Sequence, residues 1–200
     1  MDKRLLPYFE SVNDGSAQGD YLSEFGPKEV QGGICLHLVI TWMYFYKNDA
    51  QNTAPNIIWQ HMKQPVVIKQ IAQNHLAYKE TIITELHNVE TNVDFYKIIS
   101  TDPAGPIAVT LDGLYPMSDN FFRISNMLLL CIDLERDGKL VGRHAIGIIR
   151  HNDRIYMYDP NEGVLSVNIG SEEELFGLIK YIYEIKAPYN VTNIEVYPIN

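Results

Sequence analysis

A change of hydrophobic period near the middle of the chain limits the folds that this sequence can adopt. Residues 55–100 repeat apolar residues at helical spacing, whereas residues 107–168 carry short strand-type runs separated by turns. The run Asp-Pro-Ala-Gly-Pro at 102–106 separates the two patterns with residues that end helices. The strand-type runs cover residues 107–111, 127–134, 140–150, 154–158 and 164–168. The sequence therefore predicts an α+β protein, with helices first and an antiparallel sheet second.

The last thirty residues predict one more helix and one more strand. Ser171-Glu172-Glu173-Glu174 has the form of a capping box, and the apolar spacing after it predicts a helix that continues to about Tyr183. Residues 191–198 predict a final strand at an edge of the sheet.

Cys35 stands at the entrance to the most apolar helical segment. It follows Gly32-Gly33 and precedes an apolar run through Trp42 to Tyr46, which predicts a loop that leads into a buried helix over residues 34–47. In the first turn of that helix, unpaired N–H groups and the helix dipole would favour a thiolate, which is the nucleophilic form of cysteine. The alternative is that Cys35 is a small buried hydrophobic residue, as most free cysteines are.

A hairpin predicted at 144–159 brings a histidine and an acid together. Residues 144–149 and 155–159 are strand-like and are separated by the turn sequence His-Asn-Asp-Arg at 151–154. If residues 152 and 153 form the turn centre, paired positions sum to 305, and His144 and Asp159 become diagonal neighbours on one face. His151 would face the other way. His144 could still be a core histidine, and Asp159 could be a plain turn former before Pro160.

These segments together resemble the YopT/AvrPphB family of papain-like cysteine peptidases, which bacterial secretion systems inject into host cells. The resemblance consists of Cys35 with Trp42 two turns later, the pair His144-Ala145, and the box Asp-Pro-Asn-x-Gly at 159–163. It covers three short windows within residues 31–164. Cysteine, histidine and acid in this order are also the chain order of a papain-type triad.

The resemblance implies a papain-like fold and a role for each of these residues. The N-terminal helical part would carry the nucleophile Cys35, and the sheet would carry the base His144 and the orienting acid Asp159. Asn161 is the alternative to Asp159, because papain uses an asparagine in that role. The Cys35 backbone N–H would stabilise the oxyanion, and Gln31 is the candidate for a second donor, because papain places a glutamine upstream of its cysteine.

Composition and charge restrict the remaining functions. A net charge of −9 argues against nucleic acid and against a polybasic membrane surface, and no apolar stretch is as long as a membrane span. Two cysteines do not make a disulfide framework, and Cys131, inside an apolar strand, is expected to be unreactive. No spacing of the other histidines (His37, His61, His75 and His87) is that of a metal site, so we expect no metal and no cofactor.

The chain is interpreted as a single papain-like catalytic domain over residues 31–200, preceded by a polar N-terminal arm over residues 1–30. With no signal peptide evident, the resemblance implies synthesis in a bacterial cytoplasm and delivery into a target-cell cytosol. The alternative is an ordinary intracellular peptidase of its own cell. The arm would either pack across the domain or serve as an export signal. If it only directs export, deletion of residues 1–20 would spare the chemistry. The partner would be a protein substrate of the target cell, and a secretion chaperone or an immunity protein is a further expected partner.

Three functions remain open from the sequence. The first is a cysteine peptidase-type effector or toxin. The second uses the same triad as a glutamine deamidase, a transglutaminase or an acyltransferase, because the sequence does not reveal the pocket. The third is a binding module without catalysis.

Overall fold

The fold is an antiparallel sheet covered by helices on both faces. A computed structural model describes residues 5–12, 34–48, 53–78 and 106–199. All neighbouring strands are antiparallel, as the strand-type runs predicted, and the class is α+β. The seven strands are β1 (Phe9–Val12), β2 (Ile107–Val109), β3 (Met127–Arg136), β4 (Lys139–His151), β5 (Arg154–Asp159), β6 (Gly163–Asn168) and β7 (Asn190–Ile199), and they lie in the order β1-β6-β5-β4-β3-β7-β2.

Five α-helices are described. Three come from the first half of the chain, one precedes the main hairpins, and one precedes the last strand: α1 (Cys35–Asn48), α2 (Pro55–Met62), α3 (Pro65–Tyr78), α4 (Leu111–Ile124) and α5 (Glu172–Lys180). A π-helical segment, Tyr181–Lys186, continues α5, and a short 3₁₀ helix, Leu6–Tyr8, precedes β1. Among the described residues, no helix is long and apolar enough to cross a membrane.

Alternation along the strands produces two separate cores, one on each face of the sheet. On β4, Ala145 and Ile149 pack with α1, α2 and α3, whereas Ile146 and Ile148 pack with α4 and α5. Successive side chains of a strand point to opposite faces of the sheet. The continuous apolar run of β4 therefore reflects burial on both faces. The sheet is therefore the middle layer of three.

An aromatic cluster fixes α1 against the sheet. Trp42 is fully buried and donates its indole N–H to the carbonyl oxygen of Pro55 at 2.8 Å, which joins α1 to the start of α2. Tyr158 of β5 contacts both Trp42 and Trp59, with ring centroids 5.3 Å and 4.7 Å apart. Tilted aromatic pairs of this kind add to the energy of burial. Cys35, at the first residue of α1, is held in place by this packing.

The predicted hairpin register is confirmed. Gly147 pairs with Tyr158 and His151 pairs with Arg154, which gives the expected sum of 305 around Asn152, whose φ is 53°. The turn before β4 is also a hairpin turn, with Asp137 and Gly138 both at positive φ. Two positive φ values in succession are the signature of a type I′ turn.

Three features of the fold differ from the sequence predictions. α4 was not predicted, because Gly113 and Pro116 interrupt its pattern; its N-cap is Thr110, whose side chain accepts a hydrogen bond from the Gly113 N–H at 3.2 Å. The prediction of a capping box is wrong, since the Ser171 side chain makes no cap hydrogen bond. The last strand is not at an edge, because β7 lies between β3 and β2.

Part of the first thirty residues belongs to the sheet. Leu5 is fully buried, and β1 pairs with β6 at the sheet edge. Deletion of residues 1–20 would remove this strand along with any export signal, so the truncation tests stability as well as delivery. The catalytic-domain boundary at residue 31 stays a prediction.

The contact between α1 and β4 depends on a glycine. A Cβ at Gly147 would lie 2.9 Å from Val39 Cγ1 and 3.0 Å from ring carbons of Trp42, which is closer than side-chain carbons approach one another. Both neighbours are fully buried and have no room to move. Any larger residue at position 147 would therefore push α1, which begins at Cys35, away from β4.

We expect Gly147→Ala to lower the free energy of unfolding by about 1–3 kcal/mol, because overpacking a closed core costs that much. Gly142→Ala is the matched control, since it lies on the same strand and its added Cβ meets nothing within 4 Å. Urea unfolding of both variants measures the difference. Equal stability of the two would contradict this account of the helix–strand contact.

Candidate active site

The site lies where β4 continues past the end of β5. The two strands pair only as far as Gly147 and Tyr158, β5 ends at Asp159, and β4 extends back to Lys139. The N-terminus of α1 meets β4 at this point, so Cys35 reaches His144 beside the last residue of β5. The structure thus brings together Cys35, His144 and Asp159 from three elements.

His144 and Asp159 form a buried hydrogen-bonded pair. His144 Nε2 lies 3.0 Å from Asp159 Oδ1, with the histidine side chain 6% exposed and the carboxylate fully buried. This is the diagonal contact that the hairpin register predicted. Since Nε2 bonds to Asp159, Nδ1 is the ring nitrogen left for the Cys35 sulfur.

The turn after β5 holds the Asp159 carboxylate. The Asn161 backbone N–H donates to Asp159 Oδ1 at 2.8 Å, and the Glu162 N–H donates to the Asp159 carbonyl oxygen at 3.1 Å. Gly163 closes the turn with a φ of 109°, a conformation that favours glycine. Asp159 is thus both a turn former and the partner of His144. The Asn161 side chain is exposed, and the residue that contacts the imidazole is Asp159.

The three groups shift one another's pKa values. Burial raises the pKa of the Cys35 thiol, but the hydrogen bond and charge of His144 outweigh it, with further help from the backbone of Ala145 and Leu36, and the pKa is lowered. Burial lowers the pKa of His144, but Asp159 and then Cys35 raise it overall. Burial likewise raises the pKa of Asp159, and His144 more than offsets this. Each pKa shift favours the charged form of its group: the thiolate of Cys35, the imidazolium of His144 and the carboxylate of Asp159.

Tyr183 also contacts this group, and the sequence did not single it out. Its hydroxyl donates to Asp159 Oδ2 at 2.6 Å, and its ring centroid lies 5.4 Å from that of His144. In the sequence Tyr183 continues the apolar stripe of α5, as a core residue would. Nothing in the pattern distinguishes it from one.

The second cysteine is in an unfavourable environment. Cys131 is half-buried on β3, where burial raises its pKa to about 12, with a smaller contribution from Cys35. It pairs with Ala145 of β4 and so lies near the site. Its thiol is nevertheless protonated at neutral pH, in agreement with its expected low reactivity.

The other candidate residues lie elsewhere. His37 is buried and its Nδ1 lies 3.0 Å from Nδ1 of His75; burial and His75 lower its pKa to about 3. His151 faces Tyr46, whose hydroxyl lies 3.0 Å from its Nδ1. Gln31 and His87 lie outside the described residues. In the part of the chain that the structure describes, no group of three or more His, Cys, Asp or Glu is placed to hold a metal ion.

We expect iodoacetamide to modify Cys35 at least about 100-fold faster than Cys131 at pH 7, because only the thiolate reacts and the two pKa values are shifted in opposite directions. The Cys35 rate should reach half of its plateau below pH 9.0, the ordinary thiol value. Peptide mass spectrometry of the quenched reaction measures both rates. Equal rates at the two cysteines in the folded protein would contradict the thiolate at Cys35.

Comparison with known proteins identifies the fold. No family model matches the sequence, and no curated protein matches it. Among solved structures, the Pseudomonas avirulence protein AvrPphB is similar with a TM-score of 0.58 and 16% identity, over 90% of this chain and 99% of that one.

A second solved structure is also similar. It is PatoxP, the cysteine protease-like domain of the Photorhabdus asymbiotica toxin PaTox, with a TM-score of 0.51 and 15% identity. The match covers 99% of this chain and 56% of that chain. The resemblance to the YopT/AvrPphB family is thereby confirmed at the level of the fold, since the protein has the fold of AvrPphB.

Proposed function

We propose that this protein is a papain-like cysteine peptidase-type effector or toxin that acts on a protein of a target cell. The observation that carries the proposal is the contact of a fully buried carboxylate, Asp159, with His144 Nε2, while Cys35 hydrogen-bonds to the same histidine. A buried ion pair is a poor way to gain stability, because desolvation offsets most of the attraction. Its position beside a helix-terminal cysteine supports a catalytic use.

The chemistry follows from the three groups. His144 Nδ1 takes the proton of Cys35, and Asp159 stabilises the imidazolium and holds the ring in position. The thiolate attacks a carbonyl carbon, and His144 returns the proton to the leaving amine. A thioester remains on Cys35 until water, deprotonated by His144, hydrolyses it.

The oxyanion that forms in each step needs donors. The first N–H groups of a helix have no partner within that helix, and the N–H of Cys35 belongs to this set at the start of α1. It would lie close to the carbonyl under attack and would stabilise the negative oxygen. Gln31 remains the candidate for a second donor.

The fold neighbours support an effector as the biological context. One is described as an avirulence protein of Pseudomonas, and the other as a protease-like domain of a Photorhabdus toxin. By analogy, this protein would be made in a bacterial cytoplasm and delivered to a target-cell cytosol. That compartment would keep Cys35 reduced, and oxidation of Cys35 would abolish its activity.

We expect Cys35→Ala and His144→Ala to abolish activity, and Asp159→Asn to reduce it by about 10²–10⁴-fold, because the neutral amide no longer stabilises the imidazolium. Cys131→Ala is the matched control and should retain the wild-type rate. Each protein is incubated with a peptide library derived from a eukaryotic proteome, and products are identified by mass spectrometry.

New peptide termini that appear with wild type and Cys131→Ala, but not with Cys35→Ala, would support the peptidase. A mass gain of about one dalton on glutamine, or an added group on the peptides, would instead identify the deamidase, transglutaminase or acyltransferase chemistry. Peptides left unchanged by a protein whose Cys35 is reduced would argue against a peptidase of broad sequence preference.

A further inference from the structure

Tyr183 carries a buried hydroxyl that takes part in no step of the proposed reaction. Its side chain is 3% exposed, and it lies in the π-helical segment Tyr181–Lys186. π-Helical turns are rare and occur frequently at functional sites. The Tyr183 hydroxyl donates to Asp159 Oδ2 at 2.6 Å, on the carboxylate oxygen that does not contact His144.

With this bond, both oxygens of Asp159 have donors. Oδ1 accepts from His144 Nε2 at 3.0 Å and from the Asn161 N–H at 2.8 Å, and Oδ2 accepts from Tyr183. A fully buried carboxylate is stable as an anion only when such donors replace water. Donors on both oxygens also prevent the carboxylate from rotating away from the imidazole.

Tyr183 is itself a suitable donor. Burial and the nearby Asp159 charge raise its pKa well above the ordinary value, so it keeps its proton and donates at all working pH values. Its ring also packs against the His144 ring, with 5.4 Å between centroids. One side chain therefore contacts both members of the pair, through two different parts.

The segment that carries Tyr183 is tied to its surroundings on both sides. The Tyr183 carbonyl oxygen accepts from the Tyr189 N–H at 2.8 Å. Lys186, at the end of the π-helical segment, forms an ion pair with Glu162 in the turn that follows Asp159. The position of the hydroxyl relative to Asp159 is thus fixed by contacts with the residue before β7 and with the turn after β5.

We propose that Tyr183 is a positioning residue of this site, whose hydroxyl holds the Asp159 carboxylate in the orientation that binds His144. The role rests on the proposed Cys35–His144–Asp159 chemistry, because it acts through Asp159 and His144 on the Cys35 thiolate. Its effect can be measured at Cys35 directly, without a substrate.

The test is the pH profile of Cys35 modification by iodoacetamide in the full-length Tyr183→Phe protein. Phenylalanine keeps the ring against His144 and removes only the hydroxyl. Without that donor the pKa of Asp159 rises, the imidazolium is less stable, and the pKa of Cys35 rises in turn. The acid limb of the profile should move to higher pH by about one unit, which corresponds to the loss of one hydrogen bond to a charged group.

Tyr197→Phe is the matched control. Tyr197 is also a buried tyrosine, 7% exposed, and its hydroxyl also donates to a carboxylate, Glu195 Oε2 at 2.9 Å. It has no contact with Asp159 among the hydrogen bonds of the described residues. Its removal also deletes one hydrogen bond between a tyrosine and a carboxylate, and it should leave the Cys35 profile as in wild type.

A second replacement covers the case in which Tyr183→Phe does not fold. Site-specific incorporation of 3-fluorotyrosine at position 183 keeps the hydroxyl and makes it a stronger donor, so the acid limb should move to lower pH. A wild-type profile with both replacements would overturn the role of Tyr183. By contrast, the proposed triad itself would be overturned if the His144→Ala protein had the same Cys35 profile as wild type. The two failures are therefore distinguishable.

Discussion

Much of this structure follows from the need to keep one carboxylate ionised away from water. Asp159 is fully buried, and its charge is balanced by His144 and by donors from a turn and a π-helical segment. These partners come from three separate parts of the chain, so the hairpin, the turn and the helix after β6 must adopt fixed relative positions. A charge of this kind is costly to bury unpaired, and the cost enforces the geometry.

The nucleophile is positioned by a different kind of force. Trp42 and Val39 of α1 pack against the bare backbone of Gly147, and Tyr158 and Trp59 complete this apolar contact. Close packing has little tolerance for error, so the start of the helix is placed as accurately as the side chains fit. Polar contacts thus position the base and the acid, and apolar packing of α1 positions the cysteine beside them.

The sequence predicted what depends on local spacing. The length of the turn at 151–154 was enough to place His144 and Asp159 on one face, and the glycine pair before Cys35 was enough to start a helix there. The order of distant strands could not be read, and β7 was assigned to an edge. α4 was missed because its evidence, the Thr110 cap, is weaker than the breakers Gly113 and Pro116. Tyr183 was missed because a buried tyrosine on an apolar stripe signals only core.

The interior position of β7 has a consequence for how the molecule assembles. β7 separates β3 from β2, so β2, which precedes both along the chain, acquires its sheet partner only after the last strand is in place. β1 likewise pairs with a strand more than 150 positions later. Contacts between such distant segments require large loops to close and slow the folding rate. The hairpin with His144 and Asp159 closes a short loop, whereas Cys35 must reach it across more than one hundred positions of the chain. By the same loop-closure argument, we expect the base and the acid to meet before the nucleophile joins them, so that a partly folded chain would be chemically inert.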